Sequence, residues 1–303
     1  MRDEFISGLL EIARVDKRVL LLTADLGFGV LDEYQRELPG QFINVGIAEQ
    51  NMIGLATGLA LEGNIVYCYS IGNFPTLRCL EQIRNDAAYH DANVKIISVG
   101  GGLSYGPLGM SHHATEDLAI MRVIPGVSVI VPSNLREAKD SAEYLYNQPG
   151  VHYLRLDKSH ANYESEDTDF SQWPVLRSGT DVCLISTGGI LEEAINAADA
   201  LAHKGISVRL VSAINLTPNS DDVVLNSIGD VQMIITIEEH VTSGGLGGLV
   251  SEIVSGVDFP GRLKRLGVQQ EFLASVGSQK YLRHLHGIST EGIVQSYFED
   301  RVG

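Results

Sequence analysis

The sequence predicts an α/β protein built from two doubly wound domains, each a sheet with helices on both faces. Three observations carry that prediction. The β-rich runs "RVLLLTADLG", "NIVYCYSIG", "VKIISVGGG", "VSVIVPS" and "VHYLRLD" alternate with segments of helical apolar spacing, the pattern of a mainly parallel sheet covered on both sides. The same strand-then-helix rhythm returns after residue 180 in "DVCLISTGG", "ISVRLVSAI" and "VQMIITIEEH". Between the two series, residues 158–179 are polar and acidic with no sustained period, as in a linker. The expected organisation is a first domain over residues 1–157, a linker over 158–179 and a second domain over 180–303.

The elements follow in order. Phe5, Leu9, Leu10 and Ile12 recur at helical spacing, so a first helix leads into the strand at "RVLLLTADLG". The stretch "FINVGIAEQNMIGLATGLALEG", Phe42 to Gly63, is apolar and glycine-rich, and it sets Glu49 where a core helix begins. In the second half "ILEEAINAADALAHKG" is an amphipathic helix. No repeat of solenoid length occurs.

Composition narrows the function. Of 303 residues, 44% are hydrophobic, 20% are charged and 32 are glycine, which suits a soluble α/β protein with many strand-to-helix turns. A formal charge of −16 opposes attraction to phosphate backbones and anionic lipid, so neither nucleic acid nor a membrane is an expected partner. No apolar run approaches the ~18 residues of a membrane span, and the acidic N-terminus lacks the layout of a secretory signal. Cys68, Cys79 and Cys183 are odd in number and without CxxC spacing, which suggests neither a disulfide framework nor a zinc site. The expected location is the reducing cytoplasm, and no metal-binding residues are expected on this chain.

Glu49 is the most informative residue. Small residues surround it at Gly46, Ala48, Gly54, Ala56 and Gly58, permitting close approach of a backbone or a flat ligand. Burial would push its pKa up unless a partner compensates, and a carboxyl tuned in that way can exchange a proton near neutral pH. Local sequence leaves open the alternative of a first-turn Glu that complements a helix dipole at the surface.

The segment "VGIAEQNMIGLATGLALEG" resembles the one that bears the catalytic glutamate in the pyrimidine-binding domain of transketolases and their relatives, and further matches run across almost the whole chain. The resemblance implies a pyrimidine-binding domain followed by a transketolase C-terminal-type domain, with thiamine diphosphate as cofactor. It implies that Glu49 hydrogen-bonds a ring nitrogen of the cofactor's aminopyrimidine. Asp25 in "LLTADLG" matches an aspartate close to the cofactor, where its charge would favour the cationic thiazolium. Phe74 in "YSIGNFPTLRCLEQIRND" matches an aromatic residue that stacks on the aminopyrimidine. "GPLGMSHHATEDLA" is similar to the "GPTHQ" segment, which makes His112 the matched active-site histidine, able to donate to a substrate oxygen. His113 points elsewhere if that segment is extended. Each of these residues has an ordinary alternative: a turn residue for Asp25, a core aromatic for Phe74, a loop-bonded imidazole for His112.

The C-terminal half matches as well, and a structural role is expected for Glu239 and His240 in "IITIEEHVTSGGLGGLVSE". "TSGGLGGL" itself fits no phosphate-loop pattern. Arg155 in "HYLRLDK" matches the arginine that grips sugar phosphate in relatives, a task suited to a guanidinium, with a strand-end salt bridge as the alternative. Two departures bear on the substrate. "SVGGGLSYG" has glycines where relatives place a His or Arg on the phosphate, and Leu108 stands where transketolases carry an aspartate contacting a donor hydroxyl. The donor then has its phosphate placed differently, carries a nucleotide, or is shorter.

A full-length transketolase also carries an N-terminal domain with a Gly-Asp-Gly motif followed by Asn, which holds diphosphate and a divalent metal, Mg or Ca. The nearest string here, "IGDVQM", lies in the wrong domain. The resemblance therefore implies a beta-like subunit of a split enzyme, inactive alone, joined with an N-terminal transketolase-like subunit in an α2β2 assembly. The expected reaction moves a two-carbon ketol unit from a ketose to an aldehyde. The alternatives are a beta subunit of a 2-oxo-acid dehydrogenase or acetoin-type decarboxylase, and a non-catalytic scaffold subunit.

Overall fold

The computed structural model describes residues 1–163, 168–269 and 274–299. Residues 164–167 of the expected linker, and 270–273 and 300–303 of the expected second domain, lie outside the described residues.

The first sheet has six strands: β1 (Val19–Thr23), β2 (Phe42–Asn44), β3 (Ile65–Ile71), β4 (Val94–Val99), β5 (Val127–Ile130) and β6 (Val151–Leu156). Their spatial order is β2-β1-β3-β4-β6-β5 and every pairing is parallel. The helices of this part are α1 (Arg2–Val15), α2 (Asp32–Glu37), α3 (Glu49–Leu61), α4 (Leu80–Gln82, running on as a π-helix to Ala88), α5 (Asp117–Arg122) and α6 (Leu135–Asn147). Alternation along β1 explains why all five of its residues are apolar or small and buried. Leu20 and Leu22 join one core with Met52, Ile53 and Ala56 of α3, while Val19 and Leu21 face the other with Phe5 and Leu9 of α1.

The second sheet has five strands: β7 (Val175–Arg177), β8 (Val182–Ser186), β9 (Val208–Ser212), β10 (Met233–Val241) and β11 (Arg262–Val268). Their order is β11-β10-β8-β9-β7, parallel except for the antiparallel edge strand β7. Around it lie α7 (Leu191–Ala202), α8 (Asp221–Ile228), α9 (Leu246–Ser255), α10 (Gln279–Leu285) and α11 (Thr290–Glu299).

Residues 158–179 depart from the linker expectation at their C-terminal end. Phe170 and Trp173 are buried, the indole Nε1 donates to the Asn215 carbonyl at 2.7 Å, and the chain then forms β7. A three-residue edge strand carries too few residues to show a period, which also hid β2. β11, "RLKRLGV", is another edge, and its basic residues Arg262, Lys264 and Arg265 are how an edge strand resists pairing with another sheet.

The two sheets are joined directly. Val131 N–H donates to Ile214 O at 2.8 Å and Leu216 N–H to Val129 O at 2.9 Å, so the segment after β9 continues the edge at β5. Val129, Val131, Val211, Ala213 and Trp173 share one apolar cluster across the junction.

Candidate active site

In a parallel sheet the loops after the strands emerge on one edge, and ligands of open α/β sheets bind there. That edge carries Asp25 after β1, Glu49 after β2, Phe74 after β3, residues 100–113 after β4 and Asp157 after β6.

Asp25 has a left-handed backbone, φ +57°, which Asp adopts more readily than most residues. Asn44 holds it: its Oδ1 accepts from the Asp25 and Gly46 amides, each at 3.0 Å, and its Nδ2 donates to Asp25 Oδ1 at 3.1 Å. Asn44 thus couples the Asp25 loop to the segment leading into Glu49. Nothing in the local sequence singled it out.

Glu49 is the first residue of α3 and is 3% exposed. It is both a first-turn acid, complementing the helix dipole, and a buried carboxylate. The partner that burial demands is Arg78, whose Nη1 lies 2.7 Å from Glu49 Oε2. Arg78 also sets its guanidinium over the Phe74 ring, 4.6 Å from the centroid. Phe74 in turn meets His112 edge to face at 5.4 Å, and His112 lies 6.3 Å from the Tyr105 ring. Glu49, Arg78, Phe74, His112 and Tyr105 therefore form one continuous row, of which the sequence flagged Glu49, Phe74 and His112. Arg78 was legible only as the residue four after Phe74.

His112 closes a 3-10 turn, Met110–His112, with its Nδ1 3.0 Å from Ser111 Oγ. The segment is a turn rather than extended, and the two histidines have different neighbours: the His112 ring meets Phe74 and Tyr105, whereas His113 Nε2 faces Gly106 O. His113 is 3% exposed, with Nε2 3.5 Å from Gly106 O, and burial lowers its pKa.

Two sequence-predicted site residues stand apart from the row. Leu108 ends the turn Gly106–Leu108 and is 56% exposed. Arg155 is 2% exposed, its Nη1 3.5 Å from Asp117 Oδ1, its Nε 3.4 Å from Asp157 Oδ1, and its Nη2 donating to the Glu239 carbonyl at 2.9 Å. Burial works against its charge, but Asp117 and Asp157 outweigh it and hold the guanidinium more firmly protonated than usual. Its charge is met by the chain's own carboxylates, the arrangement of the salt-bridge alternative. Burial holds the Asp157 carboxyl above the ordinary range despite Arg155.

Glu239 and His240 are buried at the end of β10. Ala119 N–H donates to His240 Nε2, so the proton sits on Nδ1, which donates to Val241 O at 2.6 Å. Gly244 and Gly245 of "TSGGLGGL" lead into α9, which contains Gly247 and Gly248, and Glu238 already accepts from the Leu246 and Gly247 amides at 2.8 Å each, which leaves those groups no anion to bind. Among the described residues no group of three or more His, Cys, Asp or Glu side chains is arranged to hold a metal ion.

The family described as transketolase, pyrimidine-binding domain, matches residues 1–163, and that described as transketolase, C-terminal domain, matches residues 171–293. The chain belongs to the transketolase family. It is 34% identical over 303 residues to a subunit of the apulose-4-phosphate transketolase of Phocaeicola vulgatus, covering 98% of this chain and 96% of that one. It is 33% identical over 303 residues to a 6-deoxy-6-sulfo-D-fructose transketolase subunit of a Clostridium species, covering 99% and 94%. A solved split-gene transketolase, an inactive beta4 tetramer, superposes with a TM-score of 0.88 at 30% identity, covering 98% of this chain and 97% of that one. The α/β architecture of two sheets, the first wholly parallel, is that of this transketolase family.

Proposed function

We propose that this chain is the C-terminal, beta-like subunit of a split transketolase, and that it moves a two-carbon ketol unit from a ketose to an aldehyde only when a second chain completes its site. The observation that carries the reading is the row from Glu49 through Arg78 and Phe74 to His112 on the carboxyl edge of the parallel sheet. The relatives from Phocaeicola vulgatus and Clostridium, which match nearly end to end and are themselves single subunits of transketolases, support it.

The residues present fit the aminopyrimidine half of thiamine diphosphate. A buried carboxyl, a flat aromatic ring and a carboxylate held by Asn44 stand on adjacent loops of one edge. When bound, the cofactor supplies the nucleophilic carbon at which the substrate's carbon–carbon bond is broken and remade. Glu49 would hold and exchange the proton at the pyrimidine ring, and Phe74 would orient that ring. Asp25 would supply the negative charge that favours a cationic thiazolium. His112, at the far end of the row, donates to a substrate oxygen.

A partner of N-terminal transketolase type, with Gly-Asp-Gly and a divalent metal, would supply the diphosphate half in an α2β2 assembly. Phe28 and Ile47, 78% and 80% exposed, flank Asp25 and Glu49, and apolar side chains so placed suit a surface that another chain covers. The substrates are sugars. A cytoplasmic location fits the three free, buried cysteines, and no described helix is long and apolar enough to cross a membrane.

The test is co-expression with a Gly-Asp-Gly-bearing N-terminal half and assay of ketol transfer. The pair is expected to be active and the isolated chain inactive. Glu49→Ala is expected to reduce the turnover of an intact complex by about 100-fold or more. Full activity of that variant, or activity of the isolated chain, would refute the proposal.

A further inference from the structure

We propose that Glu239 is a positioning residue for the loop that carries His112, so that the second domain sets the geometry of the substrate end of the site. The inference rests on the reading of His112 as a substrate-facing group. Strand β10 ends at Glu239, His240 and Val241, and this strand end grips the loop at both stems. On the first stem, Leu103 N–H donates to Glu239 Oε2 at 2.9 Å. On the second, Val241 N–H donates to Thr115 O at 2.9 Å. Between them the loop is closed on itself, Gly102 and Ala114 exchanging two amide hydrogen bonds of 2.9 Å.

The remaining contacts run the same way. Gln279 Nε2 reaches both Glu239 oxygens, at 3.0 and 2.9 Å, and Ser104 Oγ at 3.4 Å. Arg283 Nε donates to Glu239 Oε1. Gly277 N–H donates to Gly106 O at 3.4 Å, which seats the turn before Leu108 on the segment leading into α10.

The glycines of "SVGGG" acquire a physical reason from this arrangement. A Cβ on Gly101 would lie 1.9 Å from Arg155 Nε, and one on Gly102 would lie 2.5 Å from Glu239 Cβ and 2.6 Å from its Oε2. Gly102 also has φ +58°, unfavourable for a side chain. The backbone is bare there because the Arg155 and Glu239 side chains fill the space. A buried carboxylate bonded to a loop amide on one domain and to two side chains on the other fixes their distance more tightly than apolar packing does.

The experiment uses the reconstituted two-chain complex and a double-mutant cycle between Glu239→Ala and His112→Asn, with Glu239→Gln as the milder second variant. Steady-state constants for the ketose donor, the dissociation constant for thiamine diphosphate and the melting temperature are measured for each. Glu239→Ala is expected to lower kcat/KM for the donor at least tenfold while cofactor affinity stays within about twofold, with Glu239→Gln intermediate. In the His112→Asn background the Glu239 substitutions are expected to cost little further. Arg122→Ala, which cuts a different contact between the domains, to the Gly244 carbonyl and Glu252, is expected to lower the melting temperature without that loss. Full additivity with His112→Asn, an equal loss in Arg122→Ala, or a parallel fall in cofactor affinity would overturn the positioning role. A His112→Asn enzyme of full activity would instead refute the assignment of His112.

Discussion

Arg78 and Glu49 form a lopsided ion pair, 2.7 Å apart, in which the arginine side chain is 45% exposed and the glutamate only 3%. The carboxylate depends on the arginine more than the reverse, because only Glu49 has lost its water. Arg78→Ala is therefore expected to destabilise the chain by about 1–2 kcal/mol, below the range for a fully buried pair because solvent screens the arginine. Adding Glu49→Gln, which removes the stranded charge, is expected to return most of that loss. Urea denaturation of the single and double variants measures it, and equal stability of Arg78→Ala and the double variant would count against the argument.

Arg155 gives the opposite case, with all three members of its group buried. Arg155→Met leaves Asp117 and Asp157 without their cation, at an expected cost of about 3–5 kcal/mol. The loss is expected in the isolated chain without any sugar present, which distinguishes a structural guanidinium from one that serves a substrate phosphate.

Leu108 is open to solvent, so replacing it is expected to change stability by no more than about 0.5 kcal/mol. Leu108→Asp is expected to raise kcat/KM for ordinary ketose phosphates, because the new carboxylate can accept from a donor hydroxyl. Unchanged relative rates across a panel of ketoses would remove Leu108 from the determinants of specificity.

Lys95 and His152 form a buried basic pair away from the site. Lys95 Nζ contacts Gln148 O at 2.5 Å, Gly150 O at 2.8 Å and His152 Nδ1 at 3.0 Å. Burial lowers Lys95 to about 7, and burial together with Lys95 lowers His152 to about 3. In both cases the unfolded chain binds a proton that the folded chain does not, so stability rises with pH between the two values. The windows are about 3 to 6.5 for His152 and about 7 to 10.5 for Lys95. Wild type is expected to gain on Lys95→Met by roughly 1.4 kcal/mol per pH unit within the upper window, with little change between the two windows. Denaturation midpoints from pH 6 to 10 provide the check. A constant difference would mean that Lys95 titrates alike in both states.

The strands that the sequence made legible are those buried on both faces, such as β1, β3 and β4, where apolar runs and helical segments alternate without ambiguity. The three missed strands, β2, β7 and β11, are all edges, short or charged, and held by hydrogen bonds on one side that leave little mark on composition. The same contrast holds at the site. Glu49, Phe74 and His112 stand out because each matches a family motif. Arg78, Asn44 and Tyr105 owe their places to loops meeting at one sheet edge, which no local pattern reports. The buried carboxylates around Arg155 were not legible either, because a motif records which residue is present and not what surrounds it.

The bare backbone at Gly101 and Gly102 and the side chains of Arg155 and Glu239 are complementary shapes from different parts of the chain. Recombination that exchanged the second domain for one from another family member would bring a different β10 terminus against an unchanged loop, or a loop bearing side chains against an unchanged Glu239. The second chimera would have a steric conflict beside the loop, and the first would lose the Glu239 contact to the Leu103 amide, even if each half folded well. The glycine loop and the β10 terminus must thus be inherited, or engineered, as a matched set.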